Sequence, residues 1–232
     1  LSAVTDAGYT IPTPIQAGAI PPALQRRDIC GIAQTGTGKT ASFVLPMLTL
    51  LENGRARARM PRTLILEPTR ELAAQVAENF EKYGKNHKLN VALLIGGVSF
   101  EEQNRKLERG ADVLICTPGR LLDHCERGKL LMTGVEILVI DEADRMLDMG
   151  FIPDIERIAK MIPFTRQTLF RLDAILSPKL VPIVYALGLA AILLWAISHL
   201  FWSFGFGFGN GLWGLLEIAV FGLLDRRRAR PG

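Results

Sequence analysis

The chain has 232 residues, 49% hydrophobic and 22% charged, with a formal net charge of +4. That length holds one large domain or two small ones and buries a core without disulfides. The mild positive charge permits a nucleic-acid partner without demanding one, and Cys30, Cys116 and Cys125 lack the spacing of a metal site or a disulfide framework.

In chain order, Asp28–Ala33 reads as a buried strand, and a helix follows over Lys39–Leu51. Between them runs Ala33-Gln34-Thr35-Gly36-Thr37-Gly38-Lys39-Thr40. Gly36 and Gly38 allow backbone angles that aim successive N–H groups at a phosphate, and the helix start adds its positive end. Lys39 would then reach β- and γ-phosphates and Thr40 would offer its hydroxyl to magnesium. The usual pattern has a glycine where Ala33 stands. Arg55, Arg57, Arg59 and Arg62 follow as a basic run, expected to be a solvated loop.

The alternation continues. Strands are expected at Thr63–Glu67, Val91–Ile95, Val113–Thr117 and Ile137–Asp141, and helices at Arg70–Tyr83, Phe100–Arg109, Gly119–Arg127 and Ile152–Ile162. Leu72, Ala73, Val76, Ala77 and Phe80 recur at helical spacing in the second helix. Cys30 and Cys116 fall in strands and are expected to be buried as small hydrophobes of a reducing compartment. Such alternation predicts an α/β fold whose parallel sheet is covered by helices on both faces, with ligands beyond the carboxyl ends of the strands. The pair Asp141-Glu142 ends the apolar run Ile137–Ile140, where adjacent carboxylates are costly without a cation. A helix cap by Asp141 or Asp144 is the plainer alternative.

These strings, in this order, resemble the first RecA-like lobe of a DEAD-box RNA helicase, from about Gly8 to Phe170. Gly8-Tyr9 with Pro12-Thr13-Pro14-Ile15-Gln16 is similar to the adenine-reading Q motif. Ala33–Thr40 is similar to the phosphate-binding motif. Pro68-Thr69-Arg70-Glu71-Leu72-Ala73, Gly96-Gly97, Thr117-Pro118-Gly119-Arg120 and Asp141-Glu142-Ala143-Asp144 follow in register. The resemblance implies ATP and Mg2+ as cofactors and RNA as partner. It implies that Tyr9 stacks on the adenine and Gln16 pairs with its edge, an amide offering both donor and acceptor. Thr35, Gly36, Thr37, Gly38, Lys39 and Thr40 would hold the phosphates, and Thr40 and Asp141 would hold magnesium, largely through water. Glu142 would orient the attacking water, with Lys39 and Asp141 completing the catalytic set. Thr69, Arg70, Gly97, Thr117 and Arg120 would grip the RNA backbone with low sequence specificity.

After Gln167-Thr168-Leu169-Phe170 the family continues into a Ser-Ala-Thr run that couples two lobes, whereas this chain reads Arg171-Leu172-Asp173-Ala174. The upstream aromatic of the Q motif would lie before Leu1, and the chain, without a starting methionine, reads as a fragment there. No second lobe is read after Phe170, so a partner lobe would act in trans, and the chain alone is expected to bind nucleotide weakly without unwinding RNA. The expected division is residues 1–170, a cytoplasmic helicase lobe, and residues 171–232, a membrane segment.

Composition supports that division. Residues 1–170 carry 21 Lys+Arg and 20 Asp+Glu, whereas between Ala174 and Leu224 only Lys179 and Glu217 are charged. Val181–Trp202 and Phe204–Leu224 are 22 and 21 residues long, enough to span the hydrocarbon core as helices. Lys179 precedes the first and Arg226, Arg227, Arg228 and Arg230 follow the second, which predicts an α-helical transmembrane hairpin with both ends cytoplasmic. His199 and Glu217 inside it are candidate functional groups. Residues 172–180, leading into the hairpin, resemble a small bacterial membrane family of unknown function. Two alternatives stand beside the helicase reading: a small integral membrane protein, and a hybrid of two unrelated reading frames.

Overall fold

The computed structural model describes Thr5, Gly8, residues 10–33 and residues 37–173. Within them six strands form, β1 (Ile29–Ala33), β2 (Thr63–Leu66), β3 (Val91–Leu94), β4 (Val113–Cys116), β5 (Ile137–Ile140) and β6 (Gln167–Asp173). The helices are α1 (Pro14–Leu24), α2 (Lys39–Leu50), α3 (Arg70–Tyr83), α4 (Phe100–Glu108), α5 (Pro118–Glu126), α6 (Ala143–Asp148) and α7 (Ile152–Met161). The apolar runs of β2, β4 and β5 are buried at every position, as strands covered on both faces must be. The sheet order is β1-β6-β5-β2-β4-β3, with every pairing parallel.

The two-residue alternation of side chains splits the core into two layers. Leu64, Leu66, Leu114, Leu138 and Ile140 face one side, where they meet Leu107 of α4, Leu121 of α5 and Ile158 of α7. Ile65, Ile115, Ile137, Val139 and Leu169 face the other, against Val44 and Met47 of α2 and Val76 and Phe80 of α3. The α/β parallel sheet expected from the sequence is the fold observed, and the described residues lie in one compact unit, Leu1–Ile175.

Several local expectations fail for physical reasons. Cys30 is exposed, because β1 is an edge strand whose alternation turns it outward, whereas Cys116 in central β4 is buried. Arg62 is not a solvated loop residue. Its side chain is 12% exposed, pairs with Glu136 at 3.1 Å and donates to the Leu51 carbonyl at 3.2 Å. The proposed spans over 181–224, with Lys179, His199 and Glu217, lie outside the described residues. Among the described residues no helix is long and apolar enough to cross a membrane.

Candidate functional site

In a parallel sheet all carboxyl ends open on one edge, so the ends of the neighbouring strands β1, β6, β5 and β2 lie side by side there. Gly38 caps α2 in the left-handed conformation (φ 77°) that glycine adopts without strain. Lys39, the first residue of α2, is 4% exposed, and burial, then the nearby Arg171 charge, pull its pKa below the usual lysine value. Thr37 and Thr40, flanking these two, are both partly buried. Asp141 and Glu142 follow β5 and are also buried. The Glu142 N–H donates to Asp141 Oδ1 at 2.8 Å, and Arg145 Nη1 holds Glu142 Oε2 at 3.2 Å. Lys39, Thr40, Asp141 and Glu142 line one cavity of about 280 Å3 that runs along α3 past Val76 to Tyr83.

Two further groups in this cavity escaped sequence reasoning. Glu67, fully buried at the end of β2, lines the same cavity as Asp141, and burial, then the Asp141 charge, push its carboxyl well above the usual range. Burial likewise raises Asp141, against the lowering pull of Arg171. Arg171 of β6 places Nε 2.6 Å from Asp141 Oδ1. The available signal was a charged residue ending an apolar strand (Glu67) and one inside a strand (Arg171). Neither betrays its partner without the sheet register.

Gln16 of α1 is buried and joins this neighbourhood from the other side. Its Oε1 accepts the Thr13 N–H at 3.0 Å, and its Nε2 donates to the Gly38 carbonyl at 3.1 Å. An amide has two donors and two acceptor sites, so one of each remains. Tyr9, Thr35 and Gly36 lie outside the described residues.

The remaining candidates form a row past β2, β3 and β4. Thr69 caps α3 by accepting the Leu72 N–H at 3.3 Å. Exposed Arg70 opens that helix and lies against the Gly96-Gly97 turn, where a β-carbon on Gly97 (φ 82°) would come within 2.7 Å of Arg70 Nη1. Thr117 precedes α5 and its N–H reaches the Leu94 carbonyl at 3.2 Å. Arg120 donates to the Val98 carbonyl at 2.6 Å and to Gln103 Oε1 at 3.1 Å, and stacks 3.4 Å from the Phe100 ring centre. The turn at 96–98 thus brings Arg70, Gly97 and Arg120 together. His124 fixes this corner: its Nε2 lies 2.8 Å from Gln103 Oε1, an acceptor, so Nε2 carries the proton.

The donor set suits a nucleotide's phosphates. A cation at the start of a helix and left-handed Gly38 face acidic groups that a bound cation would balance. The Thr40 hydroxyl and the Asp141 carboxylate are oxygen groups of the kind magnesium takes, but Asp141 Oδ1 already lies 2.6 Å from Arg171 Nε. The parallel sheet with this cluster at its carboxyl edge defines an α/β lobe of RecA type.

The model of the DEAD/DEAH box helicase family matches residues 13–171, and the chain belongs to that family. It is 49% identical over 168 residues to the ATP-dependent RNA helicase DeaD of Mycobacterium tuberculosis, covering 72% of this chain and 29% of that protein. It is 48% identical over 170 residues to DEAD-box ATP-dependent RNA helicase 14 of Arabidopsis thaliana, covering 73% of this chain and 28% of that one. The chain therefore spans less than a third of the length of these relatives. A DEAD box protein from Methanococcus jannaschii superposes with a TM-score of 0.68 at 37% identity, over 79% of this chain and 49% of that one. A hypothetical ATP-dependent RNA helicase from Sulfolobus tokodaii gives 0.66 at 33%, over 80% and 53%.

Proposed function

We propose that residues 1–170 are the ATP- and RNA-binding first lobe of an RNA helicase. The observation that carries this reading is the buried convergence of Lys39, Asp141 and Glu142 on one cavity at the carboxyl edge of the sheet. Lys39 Nζ meets the β- and γ-phosphates, with Thr35, Gly36, Thr37, Gly38 and Thr40 around them. Tyr9 and Gln16 hold the adenine. Glu142 orients the attacking water and receives its proton. Thr40 and Asp141 are the oxygen ligands that would hold magnesium, Asp141 only once its pairing with Arg171 is broken.

Thr69, Arg70, Gly97, Thr117 and Arg120 grip the sugar–phosphate backbone of single-stranded RNA. Contacts of that kind position the strand without reading bases, and they weaken with salt. The segment 181–224 anchors the lobe to a membrane, with the lobe on the cytoplasmic side. A second RecA-like lobe completes the catalytic site.

Titration with a fluorescent ADP tests the nucleotide reading. Lys39→Ala removes the cation aimed at the phosphates and should weaken binding by about tenfold or more, since charge-assisted bonds are the strong ones. Equal affinity in the wild type and a folded Lys39→Ala variant would sink the reading.

A further inference from the structure

The family resemblance accounts for the carboxylates of this site but not for the cation that meets them. β6 pairs with β5 in the register Ile140↔Phe170, so Arg171 stands beside Asp141, the residue that follows β5. Side chains alternate along β6. Arg171 therefore shares a face with buried Leu169, the face covered by α2, while Phe170 between them is 42% exposed. A slip of one residue would turn Arg171 away from the site altogether. Instead its guanidinium lies 5.2 Å from the Phe43 ring centre, over a wall of α2, with Nε 2.6 Å from Asp141 Oδ1. The side chain is 13% exposed and that of Asp141 only 2%. The same carboxylate oxygen also accepts the Glu142 N–H at 2.8 Å, so the ion pair and a backbone donor meet on one atom.

Hence the carboxylate that would serve magnesium already has a cation, fixed by strand register and packed against an aromatic ring. A hard divalent ion and a guanidinium cannot both sit close to Asp141 without strong repulsion in so buried a place. Separating Arg171 from Asp141 would leave two desolvated charges unpaired. We propose that Arg171 is a built-in counter-cation of the nucleotide site, which competes with divalent metal for Asp141 and makes phosphate binding by this chain largely independent of magnesium. Lys39 and Arg171, both lining the cavity, then supply the positive charge that faces a diphosphate.

This inference deepens the nucleotide reading and rests on it only for the phosphate half. The metal half is tested without nucleotide, by titrating the full chain with Mn2+ and following free Mn2+ by electron paramagnetic resonance. The wild type should bind weakly at this site. Arg171→Met should bind Mn2+ at least about tenfold more tightly, because a competing charge has gone, and adding Asp141→Asn should abolish the gain. Equal affinity in the wild type and Arg171→Met, or a gain that survives Asp141→Asn, overturns the proposal. Arg171→Gln, which keeps a donor to Asp141 while removing the charge, gives the same reading if the methionine variant does not fold. The wild type alone offers another check. Millimolar Mg2+ without nucleotide should leave its thermal midpoint unchanged, and stabilisation by Mg2+ alone contradicts the proposal. With a fluorescent ADP, chelating the metal should change wild-type affinity by less than about threefold, against tenfold or more for Arg171→Met. A wild type that releases ADP on chelation overturns the phosphate half.

Discussion

Glu142 has φ 47° and ψ 48°, a left-handed conformation that costs a residue with a β-carbon about 1–2 kcal/mol. The bond from its N–H to Asp141 and the pair with Arg145 hold it there. Strain of this kind gathers where a side chain must be aimed, and here it turns a carboxylate into the cavity. Not far along the same sheet edge, buried His124 shows the reverse economy, a titratable group kept neutral. Burial, reinforced by Arg120 and Arg127, pushes its pKa down to about 4. The unfolded chain protonates first, so this histidine's contribution to stability is complete above pH 6.5 and is lost as the pH falls towards 4. Between pH 7 and 5 the wild type should lose about 2 kcal/mol more than His124→Gln in denaturant titrations. Parallel curves for the two proteins would refute this. Lys39, Asp141, Glu142 and Gln16 were legible as candidates because each lies in a short contiguous string with its own chemistry. Glu67 and Arg171 were not, since their partners are many residues away and only the strand register brings them together.

Among the elements, β2 serves both halves of the edge. Its end delivers Glu67 to the cavity, and the next residues, Thr69 and Arg70, start the helix that carries the RNA candidates. A shift of β2 would therefore be felt at both places. The neighbouring β4 is pinned by a single buried carboxylate, Asp112, just ahead of it. Its Oδ1 accepts the Ala56 N–H at 2.7 Å and its Oδ2 the Asn90 N–H at 3.0 Å, tying in the loop before β2 and the start of β3. Asp112→Ala orphans two backbone donors and should lower unfolding free energy by about 2–4 kcal/mol, with an unchanged denaturant slope. A loss below about 0.5 kcal/mol would show that the loop simply re-solvates. The central strands were legible because their unbroken apolar runs fit only a doubly covered sheet. α1 was not read as a helix: Pro21 and Pro22 lie within it and its apolar residues follow no face. The six-residue α6 offers too little periodicity, and β6 mixes Gln167, Thr168, Arg171 and Asp173 with only three apolar residues.

For the whole molecule, the family is established over residues 13–171 and the chain matches less than a third of its full-length relatives. On the proposed reading, residues 13–171 supply one face of a catalytic site whose hydrolysis step needs charge from both faces. The 232-residue polypeptide should therefore bind single-stranded RNA yet show no RNA-stimulated ATP hydrolysis above the Lys39→Ala background. Adding a separately produced second RecA-like lobe should raise the rate, and strong turnover by the chain alone would disprove the division of labour. The bond from Gln16 to the Gly38 carbonyl reaches further than its 3.1 Å. One end belongs to the residue proposed to meet the base, and the other to the residue that caps α2, the helix proposed to meet the phosphates. A base that moves that amide and so alters the grip on the phosphates is itself gripped differently, by the same factor, once the phosphates are bound. An adenine and a pyrophosphate, offered as separate molecules, would become cooperative ligands of one another, although nothing joins them but the protein.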